Sequence, residues 1–388
     1  MRNLAVFTAL APICALALLA GCSGGSGGLR GSNPMLPSAG VVPDAGGVEF
    51  LLVGNYGDND LEVYKVASDG ALSEVKGSPF TSGTGPTAMG IDPTGKFAYS
   101  ANSGSNNVSG YTIDATTGAL TAISGSPFNT GTNPSGVAAD PTGKFAYVSN
   151  YGSDNVSAYT IGSSGALTEI KGSPFATGTE PEYVAIDPKA KFAYVPNYSS
   201  SNLYGYAIES TGALKGVKGS PFTAGTDTDG VTVNPTGKFV YASNYGSDNV
   251  SAYVLGKTGG LTAVKGSPFA AGTEPTNIIV DPNGKFAFAS NYGGNNISAY
   301  TINAKTGALT AVKGSPFATG TGPEYVVVDP AGKFVYTPDV GANEVSAFAI
   351  QSSGALKSVK GSPFAAGTEP AGIAICRAAS GKCIPPAL

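Results

Sequence analysis

The chain repeats one short unit seven times, and this repeat constrains its fold more than any other feature. The tetrapeptide Gly-Ser-Pro-Phe recurs every 47 or 48 residues, ending at Phe80, Phe128, Phe175, Phe222, Phe269, Phe317 and Phe364. A second marker, Asp-Pro-x-x-Lys-Phe, lies between most successive copies. Self-similarity with a fixed period of roughly 20–50 residues is typical of solenoids, propellers and related repeat architectures.

Each unit contains four short segments with strand character. In the unit that ends at Phe222 they are residues 184–186, 191–195, 203–208 and 213–217. Short apolar and aromatic segments bounded by Gly, Asn, Asp and Pro are typical of antiparallel strands joined by turns. No segment shows the apolar period of a helix. Four strands in a repeat of this length indicate one blade of a β-propeller.

The two ends of the repeat region predict how the ring closes. Residues 48–80 supply only three strands, whereas residues 367–375 match the start of a unit and then stop. The C-terminal strand is therefore expected to complete the N-terminal blade, which leaves no open sheet edge. The predicted fold is an all-β, seven-bladed β-propeller over residues 48–376, with four antiparallel strands per blade. Residues 377–388 are expected to form a tail.

Residues 1–21 have the pattern of an export signal, with a basic start, an apolar run and small residues before Cys22. The Leu-Ala-Gly-Cys motif resembles the bacterial lipobox, in which the cysteine is acylated, and the alternative is an ordinary signal peptide with a chance cysteine. Residues 22–47 are rich in Gly, Ser and Pro and read as a flexible tether. We therefore expect an exported lipoprotein in the bacterial cell envelope, held to the membrane at Cys22. By resemblance to Gram-negative lipoproteins, Ser23 favours the outer membrane.

Two further cysteines, Cys376 and Cys383, lie seven positions apart near the C-terminus. In an oxidising envelope a disulfide between them is expected, and metal binding by two isolated cysteines is the weaker alternative. Such a bond would fix the turn that follows the closing strand.

The composition excludes several functions. The chain has no His, which excludes a His-containing catalytic triad and a His-ligated zinc site. It has 22 basic and 26 acidic residues, so it lacks the basic excess that nucleic acid binding requires. Neither a nucleophile elbow nor a phosphate-binding glycine loop is present.

The repeat units resemble those of a known family. Residues 134–150, PSGVAADPTGKFAYVSN, and the Asn-Val-Ser-Ala-Tyr of residues 155–159 are similar to the seven-bladed lactonase family. That family includes bacterial 6-phosphogluconolactonase and a fungal muconate cyclase, and the units are also similar to the Tyr-Val-Thr-Asn surface propellers. The resemblance implies the propeller fold and lactone hydrolysis by His, Arg and acidic side chains near a central pocket. Because the chain has no His and its three Arg residues lie outside the complete blades, no catalytic residue carries over.

A functional site is expected where the seven units differ, because a symmetric ring binds an asymmetric ligand only through unequal positions. The most variable positions lead into the first strand of each unit, which in propellers usually borders the central opening. The predicted ligand-binding residues there are Glu182, Tyr183, Asp229, Asn277, Glu324 and Tyr325. Paired carboxylates can perform acid–base chemistry or bind a cation, and together with aromatic rings they suit a sugar. The alternative is that these are solvated loop residues with no ligand.

Asparagines at the end of the second strand form another repeated set, which Asp339 interrupts. Its members are Asn55, Asn102, Asn150, Asn197, Asn244 and Asn291. Asn in tight turns is usually structural. A binding surface for glycan or protein, formed with the tyrosines that follow most of them, is the alternative.

Three functions remain open from the sequence. The first is an envelope-anchored binding module for a glycan, a small molecule or an envelope protein, with no catalytic residue and no cofactor. The second is a lactonase-like hydrolase that uses carboxylates at the central opening, where a divalent metal is compatible with the residues. The third is a mainly structural surface protein. Fold alone does not choose among them.

Overall fold

The computed structural model describes residues 47–379 and 382–385 of the 388-residue chain. The predicted signal peptide, the lipidation site Cys22 and the tether up to residue 46 lie outside the described residues. Within the described part, no helix has the length and apolar character of a membrane span.

The seven repeat units fold into seven antiparallel sheets arranged as the blades of a propeller, which confirms the predicted fold class. Each blade has an inner strand, a second strand, a third strand and an outer strand that is broken into two short pieces. Neighbouring inner strands contact one another around the axis. The blades are numbered 1 to 7 in the order of their second strands.

The inner strands of blades 1 to 7 are Pro370–Ala379, Pro86–Ile91, Pro134–Ala139, Ala185–Ile186, Thr228–Val233, Pro275–Val280 and Val327–Val328. The second strands are Glu49–Asn55, Phe97–Asn102, Phe145–Asn150, Phe192–Asn197, Phe239–Asn244, Phe286–Asn291 and Phe334–Asp339. The third strands are Asp60–Val66, Asn107–Ile113, Asn155–Ile161, Asn202–Ile208, Asn249–Leu255, Asn296–Ile302 and Glu344–Ile350.

The first outer pieces are Leu72–Glu74, Leu120–Ala122, Leu167–Glu169, Leu214–Gly216, Leu261–Ala263, Leu309–Ala311 and Leu356–Ser358. The second outer pieces are Phe80–Thr81, Phe128–Asn129, Phe175–Ala176, Phe222–Thr223, Phe269–Ala270, Phe317–Ala318 and Phe364–Ala365. Single 3₁₀ turns occur at Tyr151–Ser153 and Tyr245–Ser247. We call the upper face the one that bears the loops into the inner strands and the turns between second and third strands. The lower face bears the turns between inner and second strands.

The Gly-Ser-Pro-Phe motif is explained by the break in each outer strand. In blade 6 the backbone N–H of Ala299 donates to the hydroxyl of Ser315 at 2.9 Å, between the two pieces of the outer strand. The equivalent bond occurs in all seven blades, and the Ser–Pro bond of every copy is cis. The serine therefore satisfies a third-strand donor where no outer backbone faces it.

The Asp-Pro-x-x-Lys-Phe motif forms the lower turn and the contact to the next blade. Asp140 Oδ1 accepts the backbone N–H groups of Lys144 and Phe145, both at 2.8 Å. Two residues later, the hydroxyl of Tyr147 donates to the carbonyl of Gly212 in blade 4 at 2.8 Å. Gly212 has a positive φ of 84°, and a Cβ there would lie 2.5 Å from the ring of Phe145, so only glycine fits.

The same contact closes the ring. Tyr336 of blade 7 donates to the carbonyl of Gly70 in blade 1 at 3.0 Å, as Tyr147 does between blades 3 and 4. The closing strand Pro370–Ala379 pairs antiparallel with Glu49–Asn55, which confirms the predicted closure. Blade 1 is thus completed by both ends of the propeller.

The closing strand differs from the expected boundary at residue 376. It continues to Ala379, and Lys382–Ile384 pairs back on it, so part of the expected tail belongs to the blade 1 sheet. Cys376 and Cys383 form a disulfide across this hairpin, with Cα atoms 5.2 Å apart. The hairpin replaces the Asp-Pro turn of the other blades, because the strand continues instead of turning at that position.

Candidate functional site

The six predicted ligand-binding residues lie in blades 4 to 7, at or just before the inner strands. We call Glu182, Tyr183, Asp229, Asn277, Glu324 and Tyr325 the axial cluster. Each of the six exposes at most 2% of its surface. The alternative that they are solvated loop residues is therefore wrong. The six side chains also do not line a solvent-exposed central opening.

The structure places three of the six side chains in contact, and the other three, the carboxylates, act on Tyr325 through their charge. The rings of Tyr183 and Tyr325, from blades 4 and 7, have centroids 6.0 Å apart. Asn277 of blade 6 donates from Nδ2 to the hydroxyl of Tyr183 at 2.5 Å. Side chains from blades 4, 6 and 7 therefore meet.

The carboxylates of the axial cluster lie close enough to Tyr325 to affect its ionisation. Burial raises the pKa of Tyr325 well above its usual value, and the charges of Glu324, Glu182 and Asp229 raise that pKa further. Tyr325 is consequently a neutral phenol at every physiological pH. Its hydroxyl has no hydrogen-bond partner among the described residues, so it has a proton to donate.

The sequence Pro-Glu-Tyr-Val occurs in blades 4 and 7 only, and both blades have a shortened inner strand. Regular pairing starts at Ala185 in blade 4 and at Val327 in blade 7. In both blades a proline, Pro196 or Pro338, stands in the second strand where other blades have a non-proline residue with an N–H. Proline cannot donate to the ladder, so the strand opposite it is irregular there.

These two prolines are the feature of the sequence that marks the irregular inner strands, and they are not among the predicted site residues. Their carbonyls accept the backbone N–H of Glu182 and Glu324, each at 3.1 Å. The break in the inner strand thus coincides with the two glutamates of the axial cluster.

Hydroxyl groups of the preceding blade hold the backbone of each axial glutamate. Ser149 donates to the carbonyl of Glu182 at 2.9 Å. Thr276 and Ser290 donate to the carbonyl of Glu324 at 2.6 and 3.1 Å. Each glutamate lies just before its inner strand, and its backbone is therefore held by hydrogen bonds from two blades.

The structure gives no support for a metal at the axis. Among the described residues, no group of three or more His, Cys, Asp or Glu side chains is placed to hold a metal ion. A divalent metal at the central opening stays a prediction.

The asparagine set near the upper face is structural. Asn291 is buried and donates from Nδ2 to Asn296 Oδ1 at 2.7 Å and to Ser298 Oγ at 2.9 Å. The same amide pair recurs in blades 2 to 5. These buried amides therefore brace the turn between second and third strands and are not a binding surface.

Blade 7 replaces this amide pair with two acids, Asp339 and Glu344. Asp339 Oδ2 accepts Ser346 Oγ at 2.6 Å and the N–H of Gly320 at 3.1 Å. Burial, with a smaller contribution from Glu344, raises the pKa of Asp339 to about 7. Near neutral pH this carboxyl holds a proton in part of the molecules, and the protonated form resembles the amide of the other blades.

Comparison with known proteins identifies the family of the chain. The sequence model of the family described as lactonase, 7-bladed beta-propeller, matches residues 42–131 and 132–322. The chain belongs to this lactonase propeller family. No curated protein sequence matches it.

Solved structures of lactonase-type propellers share its fold. A proposed 6-phosphogluconolactonase from Bacteroides uniformis is 18% identical with a TM-score of 0.74, and the match covers 84% of this chain and 99% of that one. A periplasmic gluconolactonase from Pseudomonas aeruginosa is 18% identical with a TM-score of 0.72, at the same coverage. A second proposed 6-phosphogluconolactonase, from Bacteroides fragilis, is 20% identical with a TM-score of 0.74 and covers 86% of this chain and 99% of its own. At such identities the likeness establishes the fold.

The acid pair of blade 7 predicts a pH-dependent stability. Because folding raises the pKa of Asp339 from 3.8 to about 7, its stabilising contribution is complete below pH 4 and is lost as pH rises through 7. Asp339→Asn removes this loss, and blade 1 shows that an amide fits beside an acid, since Asn55 donates to Asp60 at 2.8 Å. Denaturant unfolding at pH 8 should show the variant more stable by on the order of 4 kcal/mol, with the gap closing towards pH 4.

The reciprocal change is the control. Asn291→Asp in blade 6 should lose stability as pH rises from 4 to 7, which is the pH dependence that Asp339→Asn abolishes. A difference between Asp339→Asn and the unchanged chain that is constant from pH 4 to pH 8 would contradict the assignment.

Proposed function

We propose that the chain hydrolyses a lactone at the axial cluster. The observation that supports this most is a pair of contacting tyrosines with three buried carboxylates that act on Tyr325, at positions where seven otherwise similar blades differ. Membership of the lactonase propeller family supports the reaction class. The names of the solved relatives, two 6-phosphogluconolactonases by proposal and one gluconolactonase, agree with it.

The chemistry requires one water, one base and one acid. Water attacks the lactone carbonyl, and an axial carboxylate, Glu182 or Glu324, accepts the proton that water loses. The neutral phenol of Tyr325 donates a hydrogen bond to the carbonyl oxygen, where negative charge develops. The ring C–O bond then breaks, and the ring oxygen takes the proton back from the glutamic acid side chain that had accepted it. The product is the open hydroxy acid.

The charge at the upper face favours a neutral lactone over a phosphorylated one. The axial cluster has three carboxylates, and the upper-face loops and turns contain no Lys or Arg. A phosphate group would meet like charge with no cation to bind it. We therefore propose a sugar lactone without phosphate as the substrate class. Because the six residues are buried, the reaction requires the upper loops to open for the substrate.

A binding module without turnover is the second candidate. The observation that favours it is the burial of all six axial residues, with the rings of Tyr183 and Tyr325 in contact. In this case the axial cluster braces the ring, and the ligand, a glycan, small molecule or envelope protein, lies elsewhere. Activity measurements separate the two candidates.

We further propose that the chain is an exported lipoprotein of the bacterial envelope, anchored through Cys22. The lipobox-like motif and the tether after it support this proposal. Incorporation of labelled palmitate by the full chain, and its loss in Cys22→Ser, tests it.

The hydrolase proposal predicts a defined loss of activity. The chain should open glucono-1,5-lactone faster than the background reaction and should open its 6-phosphate more slowly. Glu182→Gln and Glu324→Gln keep shape and each remove one candidate base, so the variant that removes the actual base should lower kcat/KM by about a hundredfold or more. A pH-stat assay measures all of these rates.

Glu169→Gln is the matched control, because Glu169 is an exposed glutamate on the outer strand of blade 3. Its kcat/KM should equal that of the unchanged chain. Absence of turnover by folded protein, or equal activity in all four proteins, would refute the hydrolase and favour the binding module.

A further inference from the structure

A cleft of about 490 Å³ lies on the lower face at the seam between blades 1 and 7. We call it the seam cleft. The polar and charged residues that line it are Glu49, Lys65, Ser68, Asp329, Lys333 and Arg377. Its volume is in the range of small-molecule sites. It lies at the end of the closing strand opposite the upper face, and it shares no residue with the axial cluster.

Arg377 is the feature of the seam cleft that most needs explanation. Its side chain is 5% exposed, and its Nε lies 2.8 Å from Glu49 Oε1, which Nη2 also contacts. Nη1 is buried and has no hydrogen-bond partner among the described residues. A buried donor of a charged group is costly when it is left unbonded. Arg377 also lines the cleft, so the charge of its guanidinium lies next to any anion bound there.

The two carboxylates in the cleft already have donors. Asp329 Oδ1 accepts the backbone N–H groups of Lys333 and Phe334 at 2.5 and 2.6 Å, and Oδ2 accepts that of Ala331 at 3.1 Å. Glu49 Oε1 is bonded to Arg377. Burial, followed by the charge of Asp329, raises the pKa of Glu49 to about 7, so this acid is only partly ionised near neutral pH.

Cationic groups therefore dominate the mouth of the seam cleft. The side chains of Lys65 and Lys333 are exposed at its edge, one from each of the two blades. With Arg377, whose Nη2 contacts Glu49 and lies 3.9 Å from Asp329 Oδ2, they make three cations against two carboxylates, one of them partly protonated. In blades 2 to 7, Asp-Pro or Asn-Pro stands where the closing strand has Cys376-Arg377, so an arginine occurs at this position only once in the ring.

We propose that the seam cleft binds a small anion through a carboxylate or phosphate group, with the Arg377 guanidinium as the buried cation and Lys333 and Lys65 as the outer cations. A guanidinium in a protected cleft forms strong charge-assisted bonds with either group. The site goes beyond the proposed hydrolysis and is independent of it. Its ligand approaches from the lower face, whereas the lactone would approach from the upper face.

The test is calorimetric titration of the folded, disulfide-bonded chain with inorganic phosphate and, separately, with malonate. The expected result is saturable binding of one anion per chain for at least one of the two, and the tighter ligand identifies the preferred group. Lys333→Gln should weaken binding about tenfold, and Arg377→Lys, which keeps the charge but removes the fork, by tenfold or more.

Lys238→Gln is the matched control, because Lys238 occupies in blade 5 the position of Lys333 in blade 7. It should leave the affinity unchanged. Absence of saturable binding for both anions, or equal weakening by Lys238→Gln and Lys333→Gln, would overturn the proposal. If Arg377→Lys does not fold, Lys333→Gln against Lys238→Gln decides.

Discussion

The contact that a second-strand tyrosine and phenylalanine make with a glycine turn of the next blade is the interaction on which the ring depends. Tyr147 and Phe145 against Gly212 show the geometry, and Tyr336 against Gly70 repeats it where the two ends of the chain meet. Because the contact needs glycine at positive φ and an aromatic ring beside it, the glycine and the phenylalanine recur at all seven seams, whereas the tyrosine is replaced by Leu52 in blade 1 and by Phe288 in blade 6. Sequence differences are therefore concentrated in the loops to the inner strands and at the seam.

Much of the fold was predictable because one period fixes both the number of blades and the closing strand. The side-chain environment of the site was not predictable, because a repeat locates a residue along a blade but does not show which way its side chain points. Glu182 and Glu324 look like loop residues in the sequence, and only the structure shows them buried. The irregular inner strands could have been found from Pro196 and Pro338, which remove the ladder donors opposite the two glutamates. Arg377 was not expected to matter because it follows the last recognisable repeat position.

The axial cluster and the seam cleft, where the blades differ in sequence, contain side chains of opposite charge. The axial cluster collects acids and phenols next to an upper face without Lys or Arg. The seam cleft joins an arginine and two lysines on the lower face, where the repeated lower turns also supply lysines. A neutral lactone suits the first environment and an anion suits the second. The separation follows from closure, because the closing strand alone carries an arginine into a blade.

The central claim is that function lies at the axis, where the copies differ. It is tested most directly by a crystal structure of the chain soaked with the lactam analogue of glucono-1,5-lactone, which cannot be hydrolysed in the same way. The account predicts the analogue at the axial cluster, with its carbonyl oxygen within hydrogen-bond distance of the Tyr325 hydroxyl and its ring beside Glu182 and Glu324. An analogue bound elsewhere on the propeller, with Tyr183 and Tyr325 still in contact, would contradict it.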